Sequence, residues 1–407
     1  MSTLFQNASI LDTRAGALSE GHVLVKDGLI AEVSDTPITT ETAERTVDLG
    51  GKVLMPGLCD GHVHVIAVTA DLAALRHMSP GYVAARAAKI MNAMLMRGFT
   101  TVRDAAGADF GLAKAVEEGY IDGPRLLFCG HALSQTGGHG DMRTPGENDL
   151  GFCFCCAGLG LVCDGVPAVR RAAREEIRKG ATQIKIMASG GVSSPTDRID
   201  STQFANEEIS AVVEEADAAN VYVMAHAYTA RAVNRSLKLG VRTIEHGNLM
   251  DEESCKLFHS EGAFLVPTLS TYAALAEEGV EAGMPAAIQK KVYDVLDAGI
   301  SALEMAYRAN VPMVYGSDLL GIMHRHQLNE FNIRKDIVPA AELIRHATLN
   351  AAEAFQRPGE FGEITVGARA DLLVSAGNPL DDITVMTRPE QNLLAIMKEG
   401  QFYKDIL

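Results

Sequence analysis

The chain has 407 residues, of which 47% are hydrophobic, 22% charged and 38 glycine, the balance of a globular, enzyme-sized protein. Its 52 acids against 36 Lys and Arg leave a net charge of −16, which disfavours nucleic acid or an anionic membrane face as a partner. The length suits a body of about 250 to 300 residues with a smaller module beside it.

The stretch from Met1 to Asn7 has no basic region and no long apolar run, so neither a secretory signal nor a transit peptide is expected. The expected location is cytoplasmic. Residues 21–34 alternate in period two around Asp27-Gly28, which reads as a hairpin of two strands.

Apolar, β-rich runs then alternate with helical stretches: Val53–Met55, Thr100–Val102, Leu126–Cys129, Ile184–Met187, Val221–Ala225, Arg242–Ile244, Ala263–Val266 and Pro312–Tyr315. The segments Val166–Lys179, Asn206–Ala219 and Glu252–His259 carry 3.6-residue periodicity between them. Strand–helix units repeated in this way predict an α/β fold, a (β/α)8 TIM barrel. The last fifty residues return to short strands, at 362–374 and 394–400. The organisation expected is a catalytic barrel over 58–358 and a discontinuous β-sandwich domain from 1–57 plus 359–407.

The uncharged run Leu150–Cys163 is too short to span a bilayer and reads as a buried loop. Seven cysteines, an odd number, point to reduced thiols and no disulfide.

In a parallel barrel the reactive groups sit where strands end. The first strand runs into Cys59-Asp60-Gly61-His62-Val63-His64, and histidines at i and i+2 of an extended segment face the same way. Other strand ends carry Lys185, His226, His246 and Asp318. A lone buried histidine is usually a core residue, but four histidines, a lysine and an aspartate on one rim form a ligand set. Imidazole with carboxylate suits Zn²⁺, and also Mn²⁺, Fe²⁺ or Co²⁺, with zinc the default.

These motifs, Asp60-Gly61-His62-Val63-His64, a strand-four lysine, Ala225-His226-Ala227, Glu245-His246-Gly247 and Gly316-Ser317-Asp318, resemble the amidohydrolase superfamily over essentially the whole chain. The resemblance implies two divalent metal ions, with His62, His64 and Asp318 on one and His226 and His246 on the other. It also implies that CO2 carboxylates Lys185 and that the carbamate and a hydroxide bridge the ions. Asp318 would then take a proton from the hydroxide and deliver it to the leaving nitrogen. A mononuclear deaminase of the superfamily would carry a glutamate after the strand-five histidine, where this chain has His226-Ala227-Tyr228.

The set is similar to the prolidase-like group, which implies hydrolysis of L-Xaa-L-Pro dipeptides or related N-acyl L-amino acids. The alternative is a cyclic-amide hydrolase of the imidazolonepropionase, hydantoinase or dihydroorotase kind. His139, in the glycine-rich loop Thr136–Asp141, is expected to donate a hydrogen bond to the developing oxyanion. Tyr228 is expected to bind the substrate carboxylate. Arg198 is a further candidate for it, set against the plainer expectation of a solvated arginine. A small-molecule or dipeptide substrate and a homo-oligomeric assembly complete the expectations.

Three motifs are set aside. The cysteines Cys153, Cys155 and Cys156 lack the second matched pair of a zinc ribbon. His324 and His326 lie in the loop after Asp318 rather than at a strand end, and Gly158-Leu159-Gly160 lacks a third glycine for a dinucleotide site.

Overall fold

The computed structural model describes residues 2–39, 43–148 and 157–407. Cys153, Cys155 and Cys156 lie outside the described residues. In chain order the strands are β1 (Ser2–Asp12), β2 (Ala17–Lys26), β3 (Leu29–Ser34), β4 (Arg45–Asp48), β5 (Val53–Pro56) and β6 (Leu58–Val63). There follow β7 (Phe99–Asp104), β8 (Arg125–Leu127), β9 (Ala132–Ser134), β10 (Gly160–Val162), β11 (Gln183–Met187) and β12 (Tyr222–Thr229). The last are β13 (Thr243–Leu249), β14 (Phe264–Val266), β15 (Leu372–Ser375), β16 (Leu393–Lys398) and β17 (Gln401–Asp405).

Both ends of the chain build one eight-stranded sheet, in the order β17-β16-β15-β5-β1-β2-β3 with β4 beside β1. Its β2–β3 hairpin turns at Asp27 (φ 51°) and Gly28 (φ 81°), the left-handed pair that a two-residue type I′ turn demands. Phe5, Ile10, Val23, Leu54, Leu372 and Met397 pack into a core of its own. Of the expected 362–374 stretch, only residues 372–374 are in a strand, at the start of β15.

The run Val53–Met55, expected in the barrel, belongs instead to this sheet, parallel to β1 and antiparallel to β15. A short apolar run shows that a strand is buried, not which sheet buries it. The first strand of the central parallel set is therefore β6.

The parallel strands form two sheets, β6-β7-β8 and β10-β9-β11-β12-β13-β14. The expected eight strands are thus not one continuous ladder. Backbone bonds cross both gaps: Thr182 N–H donates to Phe128 O at 2.8 Å on one side. On the other, Pro312–Tyr315 joins β14 through Leu265 N to Pro312 O at 2.9 Å and β6 through Gly61 N to Tyr315 O at 2.7 Å. β10 falls within the run expected to be a buried loop, and pairs with β9 through Gly160↔Ala132.

The strands β6, β7 and β11 are buried along their whole length, as parallel strands covered on both faces must be. Three expected helices form at Val166–Arg178, Asn206–Ala218 and Glu252–Ser260. The last begins at Asp251, whose carboxylate accepts from Ser254 N at 2.9 Å. Parallel register sets Met187 opposite His226 and Ala227 opposite His246, so the C-terminal ends of β11, β12 and β13 lie level. Among the described residues Cys59, Cys129, Cys163 and Cys255 are free and buried, and no helix is long and apolar enough to cross a membrane.

Candidate metal centre

At these strand ends the structure brings the six expected ligands to the lining of one cavity. His62, His246 and Asp318 offer ligand atoms within 4.8 Å of one another. Asp318 Oδ1 lies 3.2 Å from His64 Nε2 and 3.5 Å from His62 Nε2. The His226 and His246 ring centroids are 4.7 Å apart. His246 (φ 75°) and Asp318 (φ 53°) both take the left-handed backbone conformation that L side chains seldom adopt, a strain that clusters at functional sites. Asp318 is held there by its N–H on His62 O at 2.8 Å.

Each imidazole has one ring nitrogen engaged by the protein. His62 Nδ1 faces Glu245 Oε2 at 2.7 Å and His64 Nδ1 faces Ala106 O at 3.1 Å. His226 Nε2 faces Gly190 O at 3.1 Å, and His246 Nδ1 faces Thr268 Oγ1 at 2.7 Å. The Nε2 atoms of His62 and His64 instead face Asp318, and a protein group on one nitrogen is how metal-bound histidines are oriented.

Burial, aided by the Lys185 charge, holds His62 well below the ordinary histidine range, and burial does the same for His226. It brings His246 down to about 3. Burial also depresses the Lys185 amine. For Asp318 burial opposes the charge, yet His62, His64 and His246 outweigh it and hold the carboxyl below its usual range. For His64 burial is outweighed by the Asp318 hydrogen bond and charge, which raise it. The neutral imidazoles of His62, His226 and His246 beside an ionised carboxylate are the donor types that a divalent ion requires, so the residues fit the metal.

Above the ligands, His139 stacks on His226 with centroids 4.2 Å apart and planes at 19°. Its Nδ1 faces Asp197 Oδ2 at 3.2 Å, and its backbone N–H donates to Gln203 Oε1 at 2.8 Å. Asp197 further accepts from Gly191 N at 3.1 Å, Gln203 Nε2 at 3.1 Å and the Ser194 hydroxyl. The stack leaves room only for glycine at 191, where a Cβ would stand 2.4 Å from His139 Cε1 and 2.7 Å from His226 Nε2. Tyr228 lines the cavity and accepts from the Tyr272 hydroxyl at 3.0 Å.

Arg198 is not brought to this site. Its side chain is 81% exposed and pairs with Asp200 at 2.7 Å, so the solvated reading holds and the carboxylate-binding one is corrected. The neighbouring residue, Asp197, is buried and is the one that meets His139. His324 is buried on Ala67 O at 3.2 Å, and His326 pairs with Glu278.

Sequence reasoning missed Asp60, Asp197 and Tyr272. Asp60 accepts from His62 N at 3.0 Å, Ser317 N at 3.1 Å, Ser317 Oγ at 2.5 Å and Gln327 Nε2 at 2.9 Å, tying the first ligand strand to the loop of Asp318. Burial pushes its carboxyl up to about 6 despite those donors. Its place inside the Asp60–His64 motif was the available signal.

Residues 53–402 match the model of the amidohydrolase family. The ochratoxinase of Aspergillus niger is 33% identical over 369 residues, covering 86% of this chain and 76% of that protein. A crystal structure of a prolidase complexed with N-methylphosphonate-L-proline superposes with a TM-score of 0.97 at 49% identity, covering 100% of both chains. A Xaa-Pro dipeptidase with methionine bound in its active site superposes with a TM-score of 0.86 at 27% identity, covering 99% of this chain and 100% of that one. With the family's histidine and aspartate motifs gathered at one cavity, the chain belongs to the amidohydrolase family and is a hydrolase of amide bonds.

Proposed function

We propose that the protein is a binuclear metallohydrolase that cleaves L-Xaa-L-Pro dipeptides or closely related N-acyl L-amino acids. The observation that carries this reading is the pairing, in one cavity, of the six-group ligand set with a buried tyrosine hydroxyl and His139. The likeness to a prolidase with a proline phosphonate in its complex supports it. In the same reading the two parallel sheets and Pro312–Tyr315 close as one (β/α)8 ring over 58–358. Residues 1–57 and 359–407 form the second, sandwich-like unit.

His62, His64 and Asp318 would hold one ion, zinc in this reading, and His226 and His246 the other, with Lys185 as a carbamate completing the set. The depressed Lys185 amine suits that modification, because only the neutral amine attacks CO2. Bound divalent ions supply Lewis acidity and an acidified water at neutral pH. Asp318, ionised and facing both His62 and His64, takes up the proton of the attacking water and returns it to the leaving nitrogen. His139, its ring held by Asp197 at Nδ1, is the donor to the carbonyl oxygen in this reading. Tyr228, whose own proton is left free by the bond from Tyr272, donates to the α-carboxylate. Proline's tertiary amide has no N–H, so the site needs no acceptor for that nitrogen.

We extend the proposal to a cytoplasmic homo-oligomer with no nucleic-acid or membrane partner. Free thiols suit a reducing compartment and the charge of −16 repels polyanions. Kinetics on an L-Xaa-L-Pro series, its C-terminal amides, hydantoins and dihydroorotate test the substrate class. Turnover of the free dipeptides above their amides is expected. Turnover of the cyclic amides with none of Xaa-Pro would transfer the site to the cyclic-amide reading.

A further inference from the structure

Behind His62, on the side away from the cavity, lies a charged pair that no step above uses. Arg103 of β7 and Glu245 of β13 are both 0% exposed, with Nη2 3.0 Å from Oε1. A buried pair of this kind adds little stability over apolar packing, and it survives only when its remaining hydrogen-bonding groups are met. Here they are met from three further elements or positions. Arg103 Nε donates to Gly61 O at 2.7 Å and Nη1 donates to Thr243 Oγ1 at 3.0 Å and Tyr222 Oη at 3.4 Å. Thr243 Oγ1 in turn donates to Glu245 Oε1 at 2.6 Å.

Arg103 Nη2 and Thr243 Oγ1 converge on one carboxylate oxygen, Oε1, while Arg103 Nε holds the peptide next to His62. The other oxygen, Oε2, faces His62 Nδ1 at 2.7 Å. Facing a guanidinium that is always charged, the carboxylate only accepts, so Nδ1 carries the hydrogen and Nε2 keeps its lone pair on the side of Asp318. We infer that Arg103 and Glu245 are positioning residues: Arg103 fixes Glu245, and Glu245 sets the tautomer and ring orientation that make His62 a metal ligand before any ion arrives. Arg103 also pins Gly61, one residue before His62, so the relay holds both the backbone and the ring of the first ligand. The inference rests on the metal reading of His62 given above.

The wild-type chain, stripped of metal and labelled with 15N-histidine, reports the tautomer by NMR, with the His62 signals assigned from their loss in His62→Gln. The Nδ1–H form is expected, and the Nε2–H form would overturn the relay. In Glu245→Gln the two tautomers should mix, and zinc affinity measured against a chromophoric chelator should fall about ten- to hundredfold. A merely structural pair would lower the melting temperature and leave both tautomer and zinc affinity unchanged. Because Glu245→Gln leaves Arg103 without a counter-charge, Arg103→Met/Glu245→Gln is the second variant, with the same loss expected and wild-type affinity overturning the proposal. If the wild type itself takes up no zinc, the metal reading fails; if it does and either variant folds with unchanged affinity, the relay alone fails.

Discussion

The Tyr272 hydroxyl donates to the Tyr228 hydroxyl across 3.0 Å at the wall of the cavity, leaving the Tyr228 hydrogen for a ligand. Burial keeps that phenol well above its usual range, so it remains a donor at working pH. Tyr228→Phe should cut kcat/KM for a free-acid substrate by about 1.5 to 3 kcal/mol, the range for a hydrogen bond to a charge. The C-terminal amide should change little. Tyr272→Phe should cost less, about 0.5 to 1.5 kcal/mol, since it removes only a neutral bond behind the donor. Equal rates on Xaa-Pro and its amide in the wild type would show that no carboxylate is read.

Metal content follows from the ligand count. Protein prepared with zinc supplied should carry about two ions per chain, because six ligands exceed one tetrahedral site. Elemental analysis measures this. One ion with full activity would remove the bridging role of Lys185.

Lys185→Ala should abolish most activity and lower metal content, and acetate or propionate added with metal should restore part of the rate by replacing the bridging carboxylate. Wild-type kcat and metal content in that variant would make the lysine structural.

Gly191→Ala places a methyl group against His139 and His226 at separations no Cβ tolerates. A displacement of about 1 Å at such a site costs about 100-fold in rate, so kcat/KM should fall on that order while the far-ultraviolet CD spectrum is retained. Activity near wild type would show that the stack is not needed.

Acid stability should depend on Asp197. Burial opposes its charge, but the His139 charge and hydrogen bond, with Ser194 and Lys291, bring its carboxyl down from the ordinary 3.8 to about 2. The folded value is the lower one, so the stabilisation is complete above about pH 4 and lost as pH falls toward 2, amounting to about 2 kcal/mol at neutral pH. Asp197→Asn should flatten the acid limb of a denaturation profile across that window. An unchanged limb would place the acid sensitivity elsewhere.

The sequence by itself determined the alternation of strands and helices, the hairpin at Asp27-Gly28, and the set His62, His64, Lys185, His226, His246 and Asp318. Those features are local: period, turn chemistry, and residue type at the end of an apolar run all act within a few positions. Only the tertiary structure decided that Val53–Pro56 joins the terminal sheet, that Asp197 rather than Arg198 turns inward, and which groups orient the ligands. His139 meets Asp197 across 58 positions of sequence, Tyr228 meets Tyr272 across 44, and Arg103 meets Glu245 across 142. Each contact depends on a distance of a few ångströms between side chains on different elements, and no periodicity in the chain encodes it until packing has brought those elements together.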